Sequence, residues 1–160
     1  MSMKKRVYIE TSVVSYLTAR PSRNILAAAW QQVTREWWDK RRSQFSLFTS
    51  ELVLAEAGQG DPDAARLRLD ELKGIPELDV TDEAVALAKR LVGDRALPKK
   101  AMGDAMHAAV AAFHGVEYLL TWNCRHLDNA ENKPLVRRVC DNAGYRCPEI
   151  CMPQELMGEH

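Results

Sequence analysis

The sequence predicts an α/β fold in three layers, α/β/α, with a central and mostly parallel sheet covered by helices on both sides. Three observations lead there. Short β-branched or aromatic runs recur along the chain, and each is followed by a segment with apolar residues at helical spacing. The run Tyr118-Leu119-Leu120-Thr121 is compact and almost wholly apolar, as a strand buried on both faces is. The chain has 160 residues, 46% hydrophobic and 28% charged, which is enough for one core and far from the composition of a disordered segment. One domain over residues 1–160 is expected, with its core from about 5 to 150 and a C-terminal tail from about 151 to 160.

Arg6-Val7-Tyr8-Ile9 reads as the first strand and stops at Glu10-Thr11-Ser12, whose hydroxyls suit a helix N-cap, so a helix is expected from near Ser12. Arg20-Pro21-Ser22 interrupts it. A second helix, from Asn24 to about Arg42, places Ile25, Leu26, Ala29, Val33 and Trp37 at helical spacing. Phe45 to Thr49 reads as the second strand, Ser50 as the cap of the next helix, and Gly58 to Pro62 as its end. A helix from Asp63 to about Lys73, a short strand over Leu78-Asp79-Val80 and a helix opened by Thr81-Asp82-Glu83 follow. Met102 to His114 is Ala-rich and helical, Gly115 closes it, and the strand at Tyr118 comes next. A helix through Leu135 to Val139 and an extended piece near Arg146 to Ile150 complete the alternation.

Lys plus Arg equals Asp plus Glu at 22 each, so any polyanion must be gripped by local basic patches rather than by a global field. The longest apolar stretches fall well short of the ~20 residues of a membrane span. The basic start Met1 to Arg6 lacks the apolar core of a signal peptide, so a cytoplasmic location and no membrane association are expected. Cys124, Cys140, Cys147 and Cys151 show only one close spacing, Cys147-x3-Cys151, which favours reduced thiols over structural zinc.

In an open parallel sheet the ligand crevice lies beyond the carboxyl ends of the strands, which gives weight to Glu10, Glu56, Asp104 and Asn123. No Gly-rich loop follows the first strand, so neither a dinucleotide fold nor a P-loop is supported. Taken singly, each acid reads first as a cap or a solvated side chain. Glu51 and Glu56, five apart on a helix, point in different directions, and spacing alone does not say which faces the crevice. His107 follows Asp104 by three residues on roughly the same helix face, and reads as a satisfied structural histidine before a ligand or proton shuttle. Trp30 and Trp37, at heptad spacing, read as core or partner surface rather than as base-stacking platforms.

Together the segments resemble something specific. Tyr8-Ile9-Glu10-Thr11-Ser12, Ser50 to Glu56, Gly103-Asp104-Ala105-Met106-His107-Ala108-Ala109 and Tyr118 to Asn123 resemble, in order, the four motifs of PIN-domain proteins, nearest to the branch of VapC-type toxins of toxin–antitoxin pairs. The resemblance spans about residues 5 to 150. It implies a PIN-like fold and a pocket of acids that binds Mg²⁺ or Mn²⁺. It also implies a divalent-metal-dependent endoribonuclease that hydrolyses RNA phosphodiester bonds, an antitoxin protein partner and a homodimer. Carried over by motif, the catalytic positions are Glu10, Glu56, Asp104 and Asn123, and the metal carboxylates are Glu10, Asp104 and Glu56. Thr11, Ser12 and Thr121 are supporting hydroxyls that join Arg125 in contacting substrate.

Two positions depart from the family pattern: Glu10 stands where Asp is usual, one methylene longer, and Asn123 stands where a fourth acid is usual. Asp128 is a candidate replacement charge. Clustered carboxylates repel unless a hard cation or proton is shared among them, and such an ion also offsets charge that builds on a phosphate. Lys99-Lys100 and Arg125-His126 flank the expected pocket. Two rivals stand beside this reading. One is a PIN fold that has lost catalysis and serves as an RNA- or protein-binding module. The other is an α/β phosphatase with an aspartyl nucleophile after strand one, which Glu10 argues against.

Overall fold

The computed structural model describes residues 3–158. The outermost residues of the basic start and of the expected tail, 1, 2, 159 and 160, lie outside them. The chain begins with β1 (Arg6–Ile9), α1 (Thr11–Thr18), α2 (Ile25–Lys40), β2 (Ser46–Ser50), α3 (Glu51–Ala57) and α4 (Pro62–Leu72). It continues with β3 (Glu77–Leu78), α5 (Asp82–Gly93), α6 (Met102–Phe113), β4 (Tyr118–Leu120), α7 (Lys133–Asn142) and β5 (Glu149–Cys151). The five strands form one sheet in the order β3-β2-β1-β4-β5, and every pairing is parallel. The helices sort into two packed groups, α1 with α2, α3 and α4, and α5 with α6 and α7, giving the three-layer architecture.

β1 is the middle strand, so both of its faces are covered and Val7, Tyr8 and Ile9 are fully buried. Its register sets Val7 beside Leu47 on one side and Tyr118 on the other. The carboxyl ends of β1 and β4 therefore lie next to each other, and Glu10 N–H donates to the Leu120 carbonyl at 3.1 Å. α6 is built from alanines on its inner side: Ala105, Ala108, Ala109, Ala111 and Ala112 are buried. Small side chains let this helix pack closely on α5.

Five expectations change in detail. α1 is capped by Glu10 rather than by a hydroxyl residue, the Glu10 carboxylate accepting from Ser12 N–H at 3.2 Å. Ser50 sits at the N-cap of α3 without capping it, because its hydroxyl bonds the Tyr8 phenol instead. The third strand is Glu77–Leu78, earlier and shorter than Leu78 to Val80. The last strand starts at Glu149, since Pro148 has no N–H to give to the ladder, and runs into Cys151. The segment after it is no loose tail: a 3₁₀ turn, Pro153–Leu156, packs on α2, and Arg41 Nε donates to the Leu156 carbonyl at 3.0 Å. No helix among the described residues is long and apolar enough to cross a membrane.

Candidate metal centre

Glu10 leaves β1 at its carboxyl end and is almost wholly buried. Its Oε1 accepts from the Ser12 hydroxyl at 2.5 Å and the Thr121 hydroxyl at 2.6 Å, and its Oε2 from Ser12 N–H. The two hydroxyls are themselves fixed: Ser12 Oγ accepts from Trp122 N–H at 2.8 Å, and Thr121 Oγ1 from Asn123 N–H at 2.9 Å. Oε1 thus has both acceptor positions filled, and Oε2 is the oxygen left to face a ligand. The extra methylene of glutamate lets one side chain cap α1 and also reach across to the end of β4.

Glu56 projects from α3 towards the same edge of the sheet. Its Oε1 accepts from the Thr11 hydroxyl at 2.7 Å and lies 2.5 Å from His107 Nε2. His107, fully buried on α6, carries its other ring nitrogen 2.7 Å from the Tyr8 phenol, which lies 2.7 Å from Ser50 Oγ. Burial alone would raise the pKa of Glu56, but the hydrogen bond and charge of His107, with the Thr11 hydroxyl, leave it below the ordinary value. Burial would lower that of His107, yet the Glu56 hydrogen bond and the charges of Glu10, Glu56 and Asp104 raise it. Burial pushes the Tyr8 phenol well above its ordinary range, so it stays protonated. Glu51 lies instead beside Glu77, Leu78 and Asp79, and of the two glutamates of α3 it is Glu56 that approaches Glu10 and His107.

Asp104, in the first turn of α6, is satisfied by different partners. Its Oδ1 accepts from Asn123 Nδ2 at 3.0 Å, and its Oδ2 lies 3.0 Å from His126 Nδ1. Asn123 Oδ1 in turn accepts from His126 N–H at 3.0 Å, closing a small ring of bonds. Among the described residues, Glu10, Glu56 and His107 form the group whose donor atoms all lie within 4.8 Å of one another. Asp104 is not a member of that group, its carboxylate being held by Asn123 and His126. Thr11, Ser12 and Thr121 stand on the carboxylates themselves. Arg125 is exposed beyond Asn123. Asp128 adds no charge to the cluster, because Lys133 Nζ holds it at 2.6 Å.

Sequence reasoning missed the bridging role of His107 and the part of His126. The signal for His107 was its place three residues after Asp104 combined with a tyrosine in the buried first strand, whose hydroxyl must find a partner. Trp37 is core, and Trp30 stacks on Trp122 with ring centres 4.8 Å apart, so neither is a free platform for bases. A concavity of about 650 Å³ opens between Val92, Arg95, Pro98, Lys99 and Asn132, and none of the site carboxylates lines it.

Two carboxylates and an imidazole that converge at the carboxyl edge of a parallel sheet define an α/β protein with a candidate divalent-cation site. The model of the PIN domain matches residues 7–131, and the chain belongs to the PIN domain family, whose members are generally metal-dependent nucleases. No curated protein matches the chain.

Proposed function

We propose that this chain is a divalent-metal-dependent endoribonuclease, the toxin of a toxin–antitoxin pair acting in the cytoplasm. The observation that carries the nuclease reading is the approach of the Glu10, Glu56 and His107 donor atoms to within 4.8 Å of one another at the strand ends. Such a donor set fits a divalent cation, since oxygen and imidazole are both ligands for such ions and the repulsion between the two carboxylates is relieved by a cation held between them. When bound, a cation of this kind offsets charge on a phosphodiester and lowers the pKa of water. Glu10 and Glu56 would hold it. Ser12 and Thr121 keep Glu10 in one orientation, and Thr11 does the same for Glu56. Asp104, held by Asn123 and His126, would contribute charge beside the first three or take a water.

Substrate grip falls to exposed cations around this edge, Lys99 and Lys100 just before α6 and Arg125 just after Asn123. The antitoxin and a second copy of the chain are the partners this reading carries. Exposed Ile25 and Leu26 at the start of α2 and Leu67 on α4 supply apolar surface for such contacts.

The test is cleavage of a mixed RNA population by metal-stripped protein with Mg²⁺ or Mn²⁺ restored, alongside Glu10→Gln and Asp104→Asn. Metal-dependent cleavage that both variants lose by at least about a hundredfold is expected, the scale of removing a group that stabilises the transition state. Variants as active as the parent would defeat the assignment. One observation favours the second reading, a binding module with a weakened site: Asn123 and His126 satisfy both Asp104 oxygens with no cation needed. RNA binding without cleavage, at any metal concentration, would establish it.

A further inference from the structure

We propose that His107 is a ligand as well as a neighbour of the acids, and that the chain Ser50–Tyr8–His107 tunes the site towards transition-metal ions such as Mn²⁺ and Co²⁺ and away from Mg²⁺. The inference rests on the metal-site reading above and goes beyond it in naming a nitrogen donor and the class of ion that donor selects.

His107 Nε2 points at the Glu56 carboxylate and belongs to the converging group. A histidine that ligates through one ring nitrogen is ordinarily held by a hydrogen bond at the other, which fixes the tautomer and the ring plane. Here that bond already exists: Nδ1 lies 2.7 Å from the Tyr8 phenol, and the phenol lies 2.7 Å from Ser50 Oγ. All three residues are buried, so no water competes for these positions.

The bonds among Ser50, Tyr8 and His107 can run in either direction with no heavy atom of those three residues moved. If Tyr8 donates to Nδ1, the proton sits on Nε2 and bonds Glu56. If Tyr8 donates to Ser50, Nδ1–H donates to the phenol oxygen and Nε2 offers its lone pair to a cation. The Glu56 side chain is 43% exposed and its terminal torsion is soft, so its carboxylate can turn to admit an ion between itself and the ring. Adjacent ligands at ~2.1 Å from an octahedral ion sit about 3 Å apart, so the turn of Glu56 has to widen the present 2.5 Å between Nε2 and Oε1 by only about half an ångström.

Imidazole is a poor partner for Mg²⁺, which takes oxygen ligands, and a good one for the later divalent ions. A site of carboxylates alone would bind Mg²⁺ and Co²⁺ with a preference that no histidine variant alters. The experiment is calorimetric titration of the metal-stripped full chain with Co²⁺ and with Mg²⁺, for the parent, His107→Gln and Tyr8→Phe. His107→Gln is expected to weaken Co²⁺ by more than about tenfold and Mg²⁺ by less than about threefold. Tyr8→Phe should weaken Co²⁺ by about tenfold, the scale of losing the partner behind a ligating histidine. Pulsed paramagnetic resonance of the Mn²⁺ complex should show nitrogen modulation in the parent that is absent from His107→Gln; the parent spectrum needs no variant to fold.

Binding of both ions with no nitrogen modulation, or modulation that survives in His107→Gln and so belongs to His126, would overturn the proposal while leaving the nuclease reading intact. A failure of every ion to bind would overturn both.

Discussion

Replacing Thr121 by valine keeps the shape of a fully buried side chain and removes one hydroxyl. That hydroxyl donates to Glu10 Oε1 at 2.6 Å and accepts from Asn123 N–H at 2.9 Å, so two bonds are lost at once. A hydrogen bond to a charged acceptor contributes about 1.5–3 kcal/mol, and Glu10 is too buried for water to replace it. The Asn123 amide lies at a half-buried position and can turn to solvent, which limits its cost, and the extra methyl of valine returns a fraction through apolar burial. The net expectation for metal-free Thr121→Val is a loss of about 2–3 kcal/mol, or a fall of roughly 5–10 °C in melting temperature for a chain of this size. Thermal and urea unfolding followed by circular dichroism would measure it, with Thr121→Ser as the control that keeps the hydroxyl. A Thr121→Val protein that unfolds within about 0.5 kcal/mol of the parent would show that the Thr121 hydroxyl does not hold Glu10.

Two further outcomes follow from other parts of the molecule. Burial raises the Glu117 carboxyl, but hydrogen bonds from the Arg6 side chain and backbone, with the Arg6 charge, more than reverse this and leave it below its ordinary 4.5. A lowered folded pKa contributes stability above the unfolded value that disappears as pH falls through the folded one. Glu117→Gln should therefore flatten the loss of stability below pH 4.5 in urea titrations, and an unchanged acid limb would count against the clamp. If Lys99 and Lys100 touch the RNA backbone, the double alanine variant should reduce the slope of log affinity against log salt by up to about 1.4, and an identical slope would place the contact elsewhere.

The alternation of elements was legible in the sequence because each strand and helix carries its own period, and the parallel sheet followed from that alternation. The direction of the polar side chains was not. Ser50 reads as a helix cap by position, yet its hydroxyl is taken by Tyr8, a residue 42 positions away. Glu56 and His107 are 51 apart, and Tyr8 and His107 are 99 apart. Nothing local distinguishes a histidine that meets such partners from one that packs quietly in an alanine-rich helix. The motifs placed Glu10 and Asn123 just after strands and Glu56 and Asp104 on helices, where the structure has them. They did not reveal that Asp104 would turn to Asn123 and His126, because that choice is made by the loop after β4 as it folds back over α6. The ends of β3 were misjudged because pairing with β2 at the sheet edge sets its limits, and the start of β5 because Pro148 cannot join the ladder.

The placement of β1 in the middle of the sheet has a consequence for the order in which the chain matures during synthesis. Thr121, which fixes Glu10, is made 111 positions after it, and β4, the strand beside β1, is nearly as remote. Until the ribosome has delivered that part of the chain, β1 has β2 on one side only, and the carboxylate at its end has neither its hydroxyl clamp nor the α6 histidine opposite. Contacts of such separation close late, after the local helices. The pocket is thus withheld from the nascent chain, and a truncated product ending before β4 would carry the acidic residues without the arrangement that makes them a site.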